Sequence, residues 1–557
     1  MKKANKTLLS ANKSVISVGL LFLLLTLAFG VSFKTKLAVN YDSFNGRHCW
    51  LSGSTIKFVN NWLIETPQKL HFVNINLPDS IEFNGLAERE PYISYPSGCT
   101  FFVYVFAKML GRQTIDISFL KHFQMLCYWL ETLLLAIFVY RLLNNSGIKS
   151  ELEKTTAAFL TAIFWAWMPT CVWYLANVYF ADQCVILFVM AFLYVEYESY
   201  CSANTRHRFI LNSIKAVIIF AGILIDYYFW VLTFVAFVLQ IVYSVKNKKT
   251  LAAIIKTSLW YVIPVILGVV VYACQLVSTP NWLDELSFVF LYRTGAAKRD
   301  DIDKHIFKVL WRHIVAGFGL KTNLRLFVLF MLILCLHSDK IRISRFFTVL
   351  GKTLFTNNGT IILLGTIAPV LQIIVLKNHS AVHDFSMVKL AWIAAILPVV
   401  FSAIYFKSIE HESQSTLAFL QVFMISFLCV VFITGVPFSS IKFREDQEQE
   451  LHDYHLAEIL RDTTSYEHVC FSFTYSIPAN PPHELSVSGK NVWKIDSKSE
   501  MNTKFPNLKE QAIKLFIIDK YAASELTEEQ TAVQAELRNS GTVFFEDERF
   551  CLLKLAS

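Results

Sequence analysis

Residues 205–250, TRHRFILNSIKAVIIFAGILIDYYFWVLTFVAFVLQIVYSVKNKKT, decide the fold class. The stretch opens on a basic connector at Arg206 and Arg208, runs apolar over 209–224, and turns at Asp226. A second apolar run over 228–243 follows, then another basic connector at Lys246, Lys248 and Lys249. Two apolar runs that share an acidic, aromatic corner and are flanked by Lys and Arg describe a membrane hairpin, because cytoplasmic connectors retain positive charge. The same alternation extends in both directions. Eleven apolar runs can be drawn, at 15–33, 123–140, 155–174, 184–200, 209–224, 228–243, 251–277, 324–336, 359–376, 387–405 and 417–436. The Lys/Arg-rich connectors, together with Lys2, Lys3, Lys6 and Lys13, fall on one side. The other side receives Asp42, Asp182, Asp226, Arg293, His379 and His383.

Composition agrees. The 557 residues are 54% apolar and 17% charged, with 48 Phe and 12 Trp, which is the make-up of a polytopic α-helical membrane protein. The net charge of +8 sits largely in basic connectors that meet an anionic leaflet, so it does not argue for a nucleic-acid partner. The N-terminus is expected in the cytoplasm and, with an odd number of crossings, the C-terminus outside. The first run is read as a retained helix, because Val31-Ser32-Phe33-Lys34 is a poor cleavage site.

Residues 1–436 are read as the transmembrane domain, with long external loops at 34–122 and 278–323. Within the first loop, 99–110 is an apolar piece too short to span and is read as an interfacial helix. Residues 437–557 change composition and are read as a small extracytoplasmic α/β or α+β domain. Helices are expected near 448–461 and after the capping-box pattern Thr527-Glu528-Glu529-Gln530, with strands at 469–475 and 512–518 and a hairpin closing at 543–555. Among the 11 cysteines, Cys49 with Cys99 and Cys470 with Cys551 are the outside pairs, and bridged and free readings weigh equally. No CxxC, HExxH or Gly-rich phosphate loop is present.

Three short motifs lie in order along the first four runs: Tyr41-Asp42-Ser43-Phe44-Asn45-Gly46-Arg47-His48, then Tyr95-Pro96-Ser97-Gly98, then Ala181-Asp182-Gln183. This order resembles the GT-C superfamily of membrane glycosyltransferases, which includes protein O-mannosyltransferases and the lipid A aminoarabinose transferase. The tetrapeptide carries one proline, Pro96, where relatives often have two. The resemblance implies transfer of a sugar from a polyprenyl-phosphate donor to a glycan, lipid or protein acceptor outside a bacterial cytoplasmic membrane. It implies Asp42 as general base and Asp182 as a second functional acid.

The residues support that chemistry independently. Sugar transfer from a lipid phosphate to a hydroxyl needs a carboxylate beside the acceptor OH and cationic or hydrogen-bonding groups on the leaving phosphate. Asp42 stands nine residues past Phe33, near the headgroup plane, although a loop or capping aspartate has the same appearance. Asp182 at a helix start also complements the helix dipole. Asp226 and His48 are assigned to substrate, with a helix cap as the alternative for Asp226. Arg293, His379, His383 and Lys389 are assigned to the donor phosphate. His379 and His383 lie four apart, a metal-compatible spacing, but without a third ligand neither a metal nor a cofactor is expected. Asp301 and Asp303 imitate a nucleotide-sugar motif that has no place outside the cytoplasm. A diphosphate-linked glycan ligase or polymerase, or a lipid or glycan transporter, is the competing class; transporters place paired charges mid-span and show related halves, which are not evident here.

Overall fold

The computed structural model describes residues 50–76, 91–146, 151–279, 281–296, 305–317, 356–396, 451–465, 468–474, 492–500 and 513–555, together with His48, Arg89, position 348 and several positions between 19 and 30. Asp42, Cys49, Lys298, Arg299, Asp301 and Asp303, the runs at 324–336 and 417–436, and the boundary near 436 lie outside the described residues.

The membrane part is helical. Helix α1 (Trp50–Glu65) leads through a two-residue antiparallel pair, β1 (Asn74–Ile75) and β2 (Pro91–Tyr92), to α2 (Gly98–Met109). Then follow α3 (Ile117–Asn145), α4 (Glu151–Trp167), α5 (Pro169–Asn177), α6 (Ala181–Cys201), α7 (Thr205–Ile223), α8 (Tyr227–Lys246) and α9 (Leu251–Leu276). Two helices occupy the second long loop, α10 (Trp282–Thr294) and α11 (Ile306–Gly317); α12 (Asn357–Val375), the short α13 (Lys377–Val382) and a helical stretch at 388–396 complete this part. Among the described residues α3, α6, α8 and α9 are long and apolar enough to cross a bilayer, and α4 with α5 forms a bent apolar pair, the shape of a broken span or of a re-entrant loop.

Packing follows side-chain chemistry. Helices α3 and α4, α6 and α7, α7 and α9, and α8 and α12 lie against one another. By contrast α9 leaves Ile255, Leu259, Ile263, Ile266 and Val270 uncovered, as a helix bathed in lipid can. Two pairs of opposite charges meet in the bundle: Lys215 of α7 reaches Glu196 of α6 at 2.9 Å, and Arg141 at the end of α3 grips Glu198 bidentately at 2.7 and 2.6 Å. An unpaired charge at either depth would carry a desolvation penalty of several kcal/mol.

Two segments differ from the sequence expectation. The run at 155–174 is not one helix: α4 and α5 meet at 64°. Pro169 has no N–H to give and drives Met168 into extended backbone, φ −63° and ψ 132°, so the helix restarts at the proline. Helix α1 was not anticipated, because its apolar residues alternate with Ser, Thr, Asn and Lys. Those polar groups bond inward: Thr55 donates to the Tyr179 carbonyl at 3.1 Å, Asn61 to that of Ile75 at 2.7 Å, and Lys57 to Asn76 at 2.9 Å.

The C-terminal part holds α14 (Leu451–Thr463), β3 (His468–Ser472), β4 (Val492–Lys494), β5 (Ile513–Asp519), α15 (Glu528–Ser540), β6 (Thr542–Glu546) and β7 (Phe550–Lys554). The strands form one mixed sheet in the order β4-β3-β5-β7-β6, parallel across β4-β3-β5 and antiparallel thereafter. The reciprocal capping box of Thr527 and Gln530 starts α15 as expected; β4 was not foreseen. Cys470 pairs with Leu515 of β5 and Cys551 with Ile518. Positions three apart on one strand face opposite sides, so the two thiols lie on opposite faces with β5 between them and do not form a disulfide. Cys99 is a free, buried thiol.

Candidate active site

The acidic corners gather at the end of the bundle opposite the basic connectors. Asp226 is the N-cap of α8, its carboxylate accepting from Tyr228 N at 2.7 Å. Asp182 lies in the first turn of α6, where a carboxylate also suits the helix dipole. Between them sits Lys389, its ammonium 2.5 Å from Asp182 Oδ1 and 2.8 Å from Asp226 Oδ2, all three side chains fully buried. The three groups tie α6, α8 and the 388–396 stretch into one junction. Burial raises the Asp226 carboxyl above the ordinary aspartate range, with Lys389 opposing and the Asp182 charge reinforcing the shift.

Tyr95 extends this junction. Its hydroxyl lies 3.1 Å from Asp182 Oδ2 and 3.0 Å from His379 Nε2. The tetrapeptide that carries Tyr95 is placed by Gly98, whose N–H donates to the Leu224 carbonyl at 2.8 Å. A Cβ at position 98 would stand 2.3 Å from that oxygen, so only glycine lets the loop close on the α7–α8 corner. Over the Tyr95 ring, at 4.2 Å, lies the guanidinium of Arg293, which also faces the Tyr227 ring at 5.7 Å. Arg293 ends α10, and Gly295 beyond it takes φ +73° so that Ala296 N–H can reach back to the Leu291 carbonyl at 2.9 Å. Asn378 of α13 bonds the Tyr292 carbonyl at 2.9 Å and joins the same corner.

Alongside is a second cluster. The rings of His379 and His383 are 4.6 Å apart, and His48 approaches His383 at 5.4 Å and Phe385 at 5.0 Å. His48 holds left-handed backbone, φ 67°, and points Nε2 at Asp384 Oδ1, 3.2 Å away. Tyr174 of α5 donates to the same carboxylate, so the break at Pro169 brings a tyrosine into the site. Burial, reinforced by His383, Arg293 and Lys389, holds His379 well below the usual histidine range. Burial and then His48 push His383 down to about 3. Both imidazoles are therefore neutral near pH 7, and their contribution is hydrogen bonding rather than charge.

Every assigned residue among those described falls within these two adjoining clusters: Asp182, Asp226 and Lys389 in the first with Arg293 above it, His48, His379 and His383 in the second. Lys389 spends its charge on two carboxylates, and Asp226 caps a helix as well as holding that lysine. Tyr95, Tyr174 and Asp384 carry no assigned role in the sequence. Tyr95 stood inside a quoted motif, and Asp384 beside a quoted histidine; Tyr174 had no signal, because its partner is 210 residues away. Among the described residues no group of three His, Cys, Asp or Glu side chains is arranged to hold a metal ion.

No family model matches the sequence, and no curated protein matches it either. Solved structures do. ArnT from Cupriavidus metallidurans bound to undecaprenyl phosphate superposes with a TM-score of 0.54 at 11% identity, covering 95% of this chain and 97% of that one. The chain shares its fold with ArnT. The apo state of the same ArnT aligns at 0.52 and 12% identity with equal coverage. An oligosaccharyltransferase from Archaeoglobus fulgidus, tethered to an acceptor peptide, aligns at 0.48 and 11% over 93% of this chain and 72% of that one. The expected helical membrane architecture is found among the described residues, together with the small C-terminal sheet.

Proposed function

We propose that the protein is a membrane glycosyltransferase that moves a sugar from a polyprenyl-phosphate donor to an acceptor on the outer face of a bacterial cytoplasmic membrane. The carrying observation is Arg293. Its side chain is buried to 7% exposure, it cannot lose its proton, and no carboxylate among the described residues pairs with it. A buried guanidinium stacked on tyrosine with its fork unmatched is a seat for an external anion, and a phosphate has the geometry for it. The GT-C fold supports the lipid-linked form of that anion, since ArnT is solved with undecaprenyl phosphate.

In this reading Asp42 takes the proton of an acceptor hydroxyl. The oxygen then attacks the anomeric carbon, and the bond from that carbon to the phosphate oxygen breaks in line. Polyprenyl phosphate departs with the electron pair, its charge met by Arg293, and the sugar inverts. The Asp182–Lys389–Asp226 junction holds the floor of the site, and His48 lies on the substrate side of the second cluster. The cytoplasmic N-terminus and extracytoplasmic C-terminal region belong to the same proposal, as does that region's boundary at 437. A lipid, glycan or protein acceptor fits it equally.

The test is transfer from a panel of polyprenyl-phosphate sugars by detergent-solubilised protein. Asp42→Asn is expected to lower the rate by about 10²–10⁴-fold, the scale of a lost general base. Arg293→Gln is expected to abolish binding of undecaprenyl phosphate. Wild-type protein that neither binds nor transfers any such donor would refute the reading.

A further inference from the structure

The hydrogen bonds around Tyr95 can be assigned proton by proton. A tyrosine hydroxyl has one proton to give and lone pairs to receive with. Asp182 has the Lys389 ammonium 2.5 Å from its other oxygen, so it faces Tyr95 as an acceptor. The Tyr95 proton therefore goes to Asp182, 3.1 Å away, and its lone pair is left for His379 Nε2 at 3.0 Å. Only an Nε2–H can fill that role. In a neutral imidazole the other nitrogen, Nδ1, is then a pure acceptor. Among the described residues Nδ1 of His379 has no hydrogen-bond partner.

We propose that Tyr95 is a positioning residue that locks His379 in its Nε2–H tautomer, so that Nδ1 accepts a hydrogen bond from a sugar hydroxyl of donor or acceptor and does not bind the phosphate. The hydroxyl assignment rests on the glycosyltransferase reading; the tautomer does not. A bare nitrogen lone pair repels a phosphate oxygen, since both are acceptors, and attracts an O–H. Arg293 over the Tyr95 ring supplies the anion contact, so phosphate and hydroxyl recognition fall on two different side chains. Burial supports the neutral ring, and so do the cations and imidazoles facing it: Arg293 from α10, Lys389 from the 388–396 stretch, His383 and His48. Burial likewise keeps the Tyr95 hydroxyl protonated throughout the working pH range.

Two measurements test this. Nitrogen-15 spectra of histidine-labelled protein, with the His379 signals identified by their loss in His379→Leu, are expected to show Nδ1 unprotonated and Nε2 protonated at pH 7. Tyr95→Phe keeps the ring under Arg293 and removes the hydroxyl, and is expected to shift those signals toward a tautomer mixture. Signals already mixed in wild type, or unmoved in Tyr95→Phe, overturn the lock whether or not the protein transfers sugar.

The second measurement is binding of bare undecaprenyl phosphate against sugar-bearing donors. His379→Leu and Tyr95→Phe are expected to leave the bare lipid phosphate bound as in wild type while transfer falls roughly tenfold, the scale of one substrate hydrogen bond. If the sugar-bearing donor is also weakened, the hydroxyl belongs to the donor sugar; if only the KM for acceptor rises, it belongs to the acceptor. Loss of bare-phosphate binding in His379→Leu as large as in Arg293→Gln would overturn the hydroxyl assignment. Failure of wild type to bind any polyprenyl phosphate would instead remove the glycosyltransferase reading and leave the tautomer to the spectra.

Discussion

Lys389 shows how much a single residue can organise. It is the one ammonium between Asp182 and Asp226 among the described residues, and none of the three side chains reaches solvent. Lys389→Met would leave two buried carboxylates facing each other, and the expected loss is about 3–5 kcal/mol, the scale of breaking a buried ion pair by removing one partner. Thermal unfolding in detergent measures it, and Asp226→Asn in the Lys389→Met background should recover part. An unchanged melting temperature would show that the junction bears no load. The histidines add a pH dependence whose sign is fixed. An unfolded His383 takes a proton near pH 6.5, whereas the folded one holds off to about 3. Stability from this group is therefore present above about pH 6.5 and lost as pH falls, by about 1.4 kcal/mol per unit. Melting temperature between pH 7 and pH 5 should drop, and His383→Gln should flatten the slope. From sequence these residues were visible as a polar set on one side of the membrane, but their pairing was not. Lys389 and Asp226 lie 163 positions apart, and nothing local encodes that distance.

At the level of elements, hydropathy located most of the helices that the structure describes, because a run of apolar residues about 20 long has one stable form in lipid. It failed where polar groups are satisfied internally. Helix α1 hides its Thr55, Lys57 and Asn61 in hydrogen bonds, so its sequence resembles a loop. It failed again at Pro169, where the apolar composition continues through a bend that the backbone cannot avoid. The end of α10 offers an element-scale prediction. Gly295 lets the helix terminate in a left-handed residue directly after the turn bearing Arg293. Gly295→Ala is expected to destabilise that terminus by about 1 kcal/mol. Because Arg293 is the proposed phosphate seat, undecaprenyl phosphate affinity should fall with little change in overall melting temperature. Titration of the lipid phosphate against both proteins decides it, and equal affinities would show that the helix end is held by something other than its glycine.

Over the whole molecule, two kinds of architecture share one chain. The chain shares its fold with ArnT at 11–12% identity, so the fold persists where sequence similarity does not. The fold class was legible here from the alternation of apolar runs and charged corners. The C-terminal sheet was legible strand by strand but not in its order, since β3 and β5 are parallel neighbours separated by some forty residues that include β4. The sheet also settles the thiols. Cys470 and Cys551 lie on opposite faces, so alkylation of denatured, unreduced protein should label both. A mass shift showing that pair protected would place them together and contradict the strand order.

The position of β7 has a consequence for synthesis. It follows both β5 and β6 in the chain, yet it lies between them and is the partner of both. Until residue 554 is made and delivered, the parallel strands and β6 have nothing to join them, and β5 presents an open edge. For as long as its chain is incomplete, this region offers that edge to pairing with another chain. Any stop codon before Phe550 would leave that edge open for good, turning a membrane protein with intact helices into one that associates through its tail.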